Sequence, residues 1–322
     1  MTKHYLTWWN IENLFDTCNS SHRPDWLAKT LKKELKNWDD KILDKKLTNI
    51  SSIICKINNC KGPDIIGVCE VENRNVLEKL IKKLNCLQRN YKIIHHNTDD
   101  KRGIDIAFIY DADKYTHKGK IFSLEIMKRN ATRDILQIEL FTKKGNKLTI
   151  LGNHWPSRSG GQYKTEPYRI MAAETLSYWI SRVQEISGDK TPIIVMGDFN
   201  DEPFSRSLTD YALSCENRNK VSYGKNPYLF NLCYEAVGQR KGSFIFNSTP
   251  FMFDQILVSK GLAQKSNVFQ LDTKAFCIET FNGMTKGRYN TPVRFGRPSN
   301  KNTFNPAGFS DHLPVSVIIN EK

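Results

Sequence analysis

The segment TPIIVMGDFNDEP, residues 191–203, runs from a buried-looking apolar stretch straight into Asp198, Asn200, Asp201 and Glu202. Side chains two apart on a strand share a face, so Asp198 and Asn200 are expected side by side at a strand end. The pattern recurs along the chain. Asn10 and Glu12 follow LTWW, Glu70 follows DIIGVC, and Asn153 and His154 follow KLTIL; Asp254 sits inside PFMFDQILV, and Asp311 and His312 precede LPVSVII. A polar group at the mouth of a buried strand is costly unless it is paired or holds a cation. One such residue is usually a turn or a helix cap, but the repetition argues for a shared site. Carboxylates, amides and histidine without thiolate form a hard donor set, selecting Mg²⁺, Mn²⁺ or Ca²⁺ over zinc. Mg²⁺, or Mn²⁺ in its place, keeps coordination positions open for a substrate phosphate, so the chemistry expected is metal-assisted cleavage of a phosphoester.

The elements that would position these residues can be read from periodicity. Strands are expected at 4–11, 63–73, 91–96, 104–110, 133–141, 147–155 and 191–198, in GSFIFN and FMFDQILVS, and at 312–319. Residues 25–57 read as helical because Leu43, Leu47, Ile50 and Ile54 recur at spacings of three and four, with the intervening lysines forming a solvated face. NVLEKLIKKLNCL is an amphipathic helix, and another is expected from Glu166 or Pro167 through MAAETLSYWISRVQEI, with Pro167 in its first turn. A short helix is expected near SRSLTDYAL. Strands outnumber helices and hairpin-sized gaps join many of them, which excludes a purely parallel doubly wound sheet and favours two packed sheets flanked by helices. Neither a repeat nor a Pro- or Ser-rich linker divides the chain, so residues 1–322 are read as one domain.

The balance of 48 basic against 34 acidic residues, a formal charge of +14, favours an anionic partner. The eight cysteines form no CxxC pair and no Cys/His cluster with zinc spacing, so reduced, mostly buried thiols are expected. With neither a signal-peptide pattern nor an apolar run of membrane-spanning length, the protein is expected in the cytoplasm, as a monomer without a protein partner.

WNIENLF, GVCEVEN, GNHWPSR, GDFNDEP, MFDQILVS and GFSDHLP together resemble, in order, the motifs of the endonuclease/exonuclease/phosphatase family. That family includes DNase I, the exonuclease III type of abasic-site endonuclease, neutral sphingomyelinases and inositol polyphosphate 5-phosphatases. RGIDIAFIYD, and HWPSR running into EPYR, are similar to a bacterial subgroup of it. The resemblance implies an α/β (α+β) fold, a DNase I-like four-layer sandwich of two mixed sheets with helices outside, and hydrolysis by metal-activated water. By the same resemblance Glu70 is the principal metal ligand, with Glu12 and Asp311 nearby. Asn10 and Asn200 would position the phosphate or its metal, Asp198 would orient or deprotonate the water, and His312, held by Asp254, would bind the phosphate. Asn153, Arg158 and Arg169 are candidate substrate contacts. Two departures from the abasic-site nucleases stand out: Glu12 where they carry Asp, and His154 where they carry Tyr. His154 could protonate the leaving oxygen.

Residues 284–310 contain Lys286, Arg288, Arg294, Arg297 and Lys301 with no acid, interleaved with Tyr289, Phe295, Phe304 and Phe309. Cations for phosphates and aromatics for bases suit a nucleic-acid cleft. The function expected is a Mg²⁺-dependent nuclease or phosphodiesterase acting on DNA or RNA. The alternatives are a phosphatase or phosphodiesterase of a small metabolite or lipid headgroup, and a non-catalytic scaffold on the same fold.

Overall fold

The computed structural model describes residues 1–127, 132–296 and 305–322. In chain order the strands are β1 (Thr2–Leu14), β2 (Ile65–Val71), β3 (Tyr91–His95), β4 (Asp105–Asp111), β5 (Tyr115–Leu124), β6 (Ile135–Thr142), β7 (Lys147–His154) and β8 (Ile193–Asp198). They continue with β9 (Ser214–Cys215), β10 (Leu229–Asn231), β11 (Phe244–Phe246), β12 (Thr249–Phe251), β13 (Asp254–Val258), β14 (Phe269–Ile278), β15 (Thr285–Lys286), β16 (Thr291–Pro292) and β17 (Val315–Glu321). One sheet has six strands in the order β14-β17-β1-β2-β4-β3, and a second has seven in the order β5-β6-β7-β8-β13-β10-β9. Both are mixed. In the first, β1 and β2 run parallel among antiparallel neighbours; in the second, β7/β8 and β10/β9 are the parallel pairs.

Strand alternation decides the layering. Leu6 and Trp8 of β1 meet Ile194 and Met196 of β8 and Ile256 of β13 between the sheets, while Trp9 and Ile11 turn outward. A Cβ on Gly67 would lie 2.6 Å from Trp8 and 3.1 Å from the Met196 sulfur, so only glycine allows the sheets to approach this closely there. The outer face of the first sheet is covered by α1 (Asp25–Leu31), α2 (Asp40–Ile54) and α3 (Arg74–Lys83), and that of the second by α4 (Gln162–Ser187). Two sheets with helices outside make the expected α/β sandwich of four layers.

The helical region expected over 25–57 is split into α1 and α2 by a non-helical turn. Trp38 folds inward and donates to the Phe15 carbonyl, and the Asp39 side chain then caps α2 by accepting from Ile42 N. The helix expected from Glu166 begins at Gln162, so Pro167 lies within it rather than in its first turn. Strands β5 and β14 escape the periodicity because they are sheet edges, whose half-exposed residues need no strict alternation. The cysteines are free, but only Cys69 and Cys233 are buried, because the others lie on helix ends, turns and edges. Among the described residues no helix is long and apolar enough to cross a membrane.

Candidate active site

The seven-stranded sheet brings three side chains into one row. His154 ends β7 opposite Asp198 of β8, and Asp198 is the direct partner of Asp254 at the start of β13. All three strands direct these residues to the inter-sheet side, where apolar packing stops. From the other sheet, Asn10 follows Trp8 by two positions and so shares its face. Its amide donates to Asp198 Oδ2 at 3.0 Å. Asn200 N donates to Asp198 Oδ1 at 3.0 Å. The strand ends at Asp198, however, and Asn200 has φ of 51°, so it arrives through a turn rather than by the expected two-residue repeat. Its side-chain amide donates to the Trp155 carbonyl at 3.0 Å.

His312 Nδ1 lies 2.6 Å from Asp254 Oδ2, and Trp8 Nε1 donates to the other Asp254 oxygen at 3.2 Å. The imidazole Nε2 faces Asp198 Oδ2 at 3.9 Å. Burial by itself would lower the His312 pKa, but Asp254 and Asp198 outweigh it and hold the ring protonated well above the ordinary histidine value. Asp198 is pushed up to about 6, by burial first and by Asp254 among the charges, while His312 pulls the other way. The result is a buried imidazolium beside a carboxylate poised near neutral pH. Such a pair can stabilise a charged phosphate oxygen and accept a proton.

Residues 5–321 match the model of the Endonuclease/Exonuclease/phosphatase family. The chain belongs to this family. Its fold is shared by the catalytic domain of human Nocturnin, solved with a bound sulfate, at 16% identity and a TM-score of 0.56, covering 99% of this chain and 95% of that one. Truncated Caenorhabditis elegans TDP2 is similar at 16% identity and a TM-score of 0.59, covering 99% and 98%. A mannosyl-6-phosphatase from Bacteroides thetaiotaomicron is similar at 15% identity and 0.58, covering 98% and 99%. No match was found among curated proteins.

Family members are phosphoester hydrolases that use divalent metals, and the donors here fit such an ion. Glu70 Oε2 accepts from Asn13 N at 2.9 Å, whereas among the described residues Oε1 has only the longer contacts to Arg102 at 3.4 Å and His154 at 3.8 Å. That oxygen can serve as a hard ligand. Asp311 is pushed up to about 7 by burial and then by the neighbouring Glu12 and Glu70. Crowded carboxylates of this kind are what a divalent cation relieves. Ligand atoms of Asp198, Asp254 and His312 also lie within 4.8 Å of one another. Since His312 is committed to Asp254 and retains its proton, Glu70 and Asp311 are the candidates to hold an ion.

The mouth of this site is irregular. Glu12, Asn13, Glu70 and Asn200 all have positive φ without being glycine. β2 carries a bulge between Cys69 and Val71, which turns the Glu70 side chain out of the strand's regular alternation. Backbone in this region is costly and persists where surrounding contacts enforce it.

Several expected site residues lie elsewhere or do something else. Asn153 is on the opposite face of β7 from His154, where its side-chain oxygen accepts from Trp155 Nε1 at 3.1 Å; alternation excludes it from the cleft. Arg169 is fully buried, its Nε 2.7 Å from Asp201 Oδ2, and it braces the turn after β8. Arg158 shares Asp201 at 2.6 Å but remains partly exposed above the Phe253 ring, 4.9 Å from its centroid. His154 is held neutral, well below the ordinary histidine value, by burial and then by Arg133 and Arg102. It therefore lacks the proton of a charged general acid. Glu12 has both oxygens occupied by Arg294 and by loop amides. Arg297, Lys301 and Phe304 lie outside the described residues.

Other residues lining or bracing the site carry no motif of their own. Lys46, taken as part of a solvated helix face, is fully buried with its ammonium 4.9 Å from the Phe295 ring centroid. Its position was legible: it falls three after Leu43 and four before Ile50, inside the apolar stripe. Arg133, buried against the Trp155 carbonyl at 3.1 Å and Asp100 at 3.4 Å, left no pattern to find. Phe244 stacks on Phe253 at 5.4 Å and lies 4.8 Å from the His312 ring, lining one side of the site with aromatic surface.

Proposed function

We propose that this protein is a divalent-metal-dependent nuclease or phosphodiesterase acting on DNA or RNA. The observation that carries the chemistry is the Asp254–His312 pair at 2.6 Å, with the imidazole's outer nitrogen facing Asp198. His312, charged and oriented by Asp254, binds a non-bridging phosphate oxygen and offsets the charge that grows there. Asp198, aligned by the amides of Asn10 and Asn200, orients the attacking water and takes its proton. Asn10 is itself fixed, since its side-chain oxygen accepts from Glu12 N at 3.0 Å and its carbonyl from Ser310 Oγ at 2.6 Å. An ion held by Glu70 and Asp311, Mg²⁺ or Mn²⁺, would neutralise phosphate charge and polarise the water when bound. Neutral His154 contributes a hydrogen bond rather than an acidic proton.

Support for a nucleic-acid substrate comes from the formal charge of +14 and from the acid-free segment beginning at Met284, which leads into Asp311 and His312. Within it Arg294 lies 3.4 Å from Asp311, and Tyr289 is 49% exposed. The aromatic wall of Phe244 and Phe253 beside His312 provides an apolar surface for a sugar or base. A sugar-phosphate substrate is the second reading, favoured by the fold's occurrence in a mannosyl-6-phosphatase.

Plasmid DNA, structured RNA, bis-p-nitrophenyl phosphate and a panel of phosphorylated metabolites, each with Mg²⁺, Mn²⁺ or EDTA, test this. Metal-dependent cleavage of nucleic acid by the wild type, lost in His312→Ala, is the expected result. Turnover of a metabolite with nucleic acids intact would replace it with the second reading, and silence on every substrate would leave a binding scaffold.

A further inference from the structure

We propose that Glu12 is not a ligand of the divalent ion but the anchor that presents Arg294 to a substrate phosphate beside Asp311. This deepens the phosphoesterase reading and, for its substrate arm, rests on it. Glu12 is fully buried, and its oxygens already accept from four N–H groups. Oε1 takes Arg294 Nε at 2.9 Å and Nη2 at 2.7 Å. Oε2 takes the backbone amides of Phe295 at 2.9 Å and Gly296 at 3.3 Å. An ion on either oxygen would strip donors from a carboxylate that has no open direction, leaving buried N–H groups unpaired. Glu70 Oε1 accepts at 3.4 Å from Arg102, a half-exposed side chain that can turn to solvent, and so presents a smaller conflict.

The anchored segment is built to stay in place. Phe295 is fully buried against the edge of Trp38 at 6.0 Å and under the Lys46 ammonium. Phe309 N donates to the Val293 carbonyl at 2.7 Å and Asn305 N to the Phe295 carbonyl at 2.8 Å, so the segment pairs with the chain entering Ser310, Asp311 and His312. Asn49 of α2 donates to the Pro306 and Gly308 carbonyls at 2.8 and 2.7 Å. By contrast the Arg294 side chain is 50% exposed. Glu12 grips one edge of the guanidinium, Asp311 lies 3.4 Å from Nη2, and Nη1 has no partner among the described residues. A rigid, half-exposed guanidinium held beside a candidate ion ligand matches the bidentate geometry by which arginine binds phosphate.

Glu12→Gln and Arg294→Gln, with Arg294→Lys as the conservative variant, separate the possibilities. In Glu12→Gln the Mn²⁺ affinity of the protein is expected to stay within about threefold, since a true ligand's loss would cost far more. Hydrogen exchange at the Phe295 and Gly296 amides is expected to accelerate at least about tenfold as their acceptor weakens. In Arg294→Gln, affinity for a single-stranded oligodeoxynucleotide in EDTA is expected to fall about ten- to a hundredfold, with partial recovery in Arg294→Lys. KM rises accordingly, with kcat changed less than about threefold. Mn²⁺ binding lost in Glu12→Gln with both amides still protected would overturn the anchoring role, and unchanged oligonucleotide affinity in Arg294→Gln would overturn the phosphate contact. Metal binding and amide exchange need no turnover, so they decide the role of Glu12 even if no nucleic acid is hydrolysed.

Discussion

The two sheets contribute to the cleft by different means. On the seven-stranded side, His154, Asp198 and Asp254 stand in one row of regular strand register, and His312 joins by a short bond to Asp254. On the six-stranded side, Glu12 and Glu70 stand on left-handed or bulged backbone, and arginines approach them: Arg294 on Glu12 and Asp311, and Arg102 on Glu70. Regular backbone fixes distances between reacting groups, whereas irregular backbone aims acids away from the strand's own alternation. The half proposed to handle protons is held by hydrogen-bonded strand register. The half proposed to face an ion is a crowd of like charges balanced by cations.

The sharpest way to break this contrast is on the rigid side. His312→Ala is expected to lower kcat about 10²- to 10⁴-fold, measured by single-turnover hydrolysis, because it removes a positioned charge at the phosphate. Retention of more than about a tenth of wild-type activity would mean that the ion-facing half carries the chemistry alone. Next in size is a test of the brace behind the row. Arg169→Met leaves buried Asp201 with Arg158 and the Ser207 hydroxyl, and is expected to cost about 2–4 kcal/mol by urea unfolding, with Mn²⁺ affinity unchanged. A stability equal to wild type would show that Arg158 and Ser207 suffice.

A smaller effect sharpens the other side. Asp311 has its pKa raised from 3.8 to about 7, so its ionised form is disfavoured by folding in the metal-free protein. Folding favours the protonated acid, a contribution fully present below pH 3.8 and lost as pH rises through about 7. Asp311→Asn should therefore stabilise the metal-free protein at pH 8 but not at pH 3.5. With the side chain 26% exposed, screening trims the gain to about 1–3 kcal/mol. The same variant should lose the thermal stabilisation that Mn²⁺ confers on the wild type. Equal effects at both pH values would remove the like-charge account of this half. The finest measurement is the acid limb of kcat/KM. With Asp198 near 6, the rate is expected to climb about tenfold per unit below that pH and level off above it. The limb should vanish in Asp198→Asn; its persistence there would assign the base to another group.

By itself the sequence determined which chemistry was possible and most of the scaffold that carries it. Apolar runs such as PIIVM and KLTIL encode buried strands through their own composition, and acids stationed at the ends of those runs are costly enough to imply a shared purpose. Edge strands β5 and β14 stayed hidden because half-exposed strands obey no strict alternation. Lys46 was legible only to a stricter reading of helical spacing. Tertiary structure alone decided which polar residues share the cleft. Asn153 and His154 are adjacent in sequence, yet alternation sends one to the outer face and the other inward. Glu12 and Arg294 are 282 positions apart, and only their contact converts an expected ion ligand into an anchor. A side chain's type limits what it can bind, but its role depends on partners brought from distant parts of the chain, and local sequence does not record their geometry.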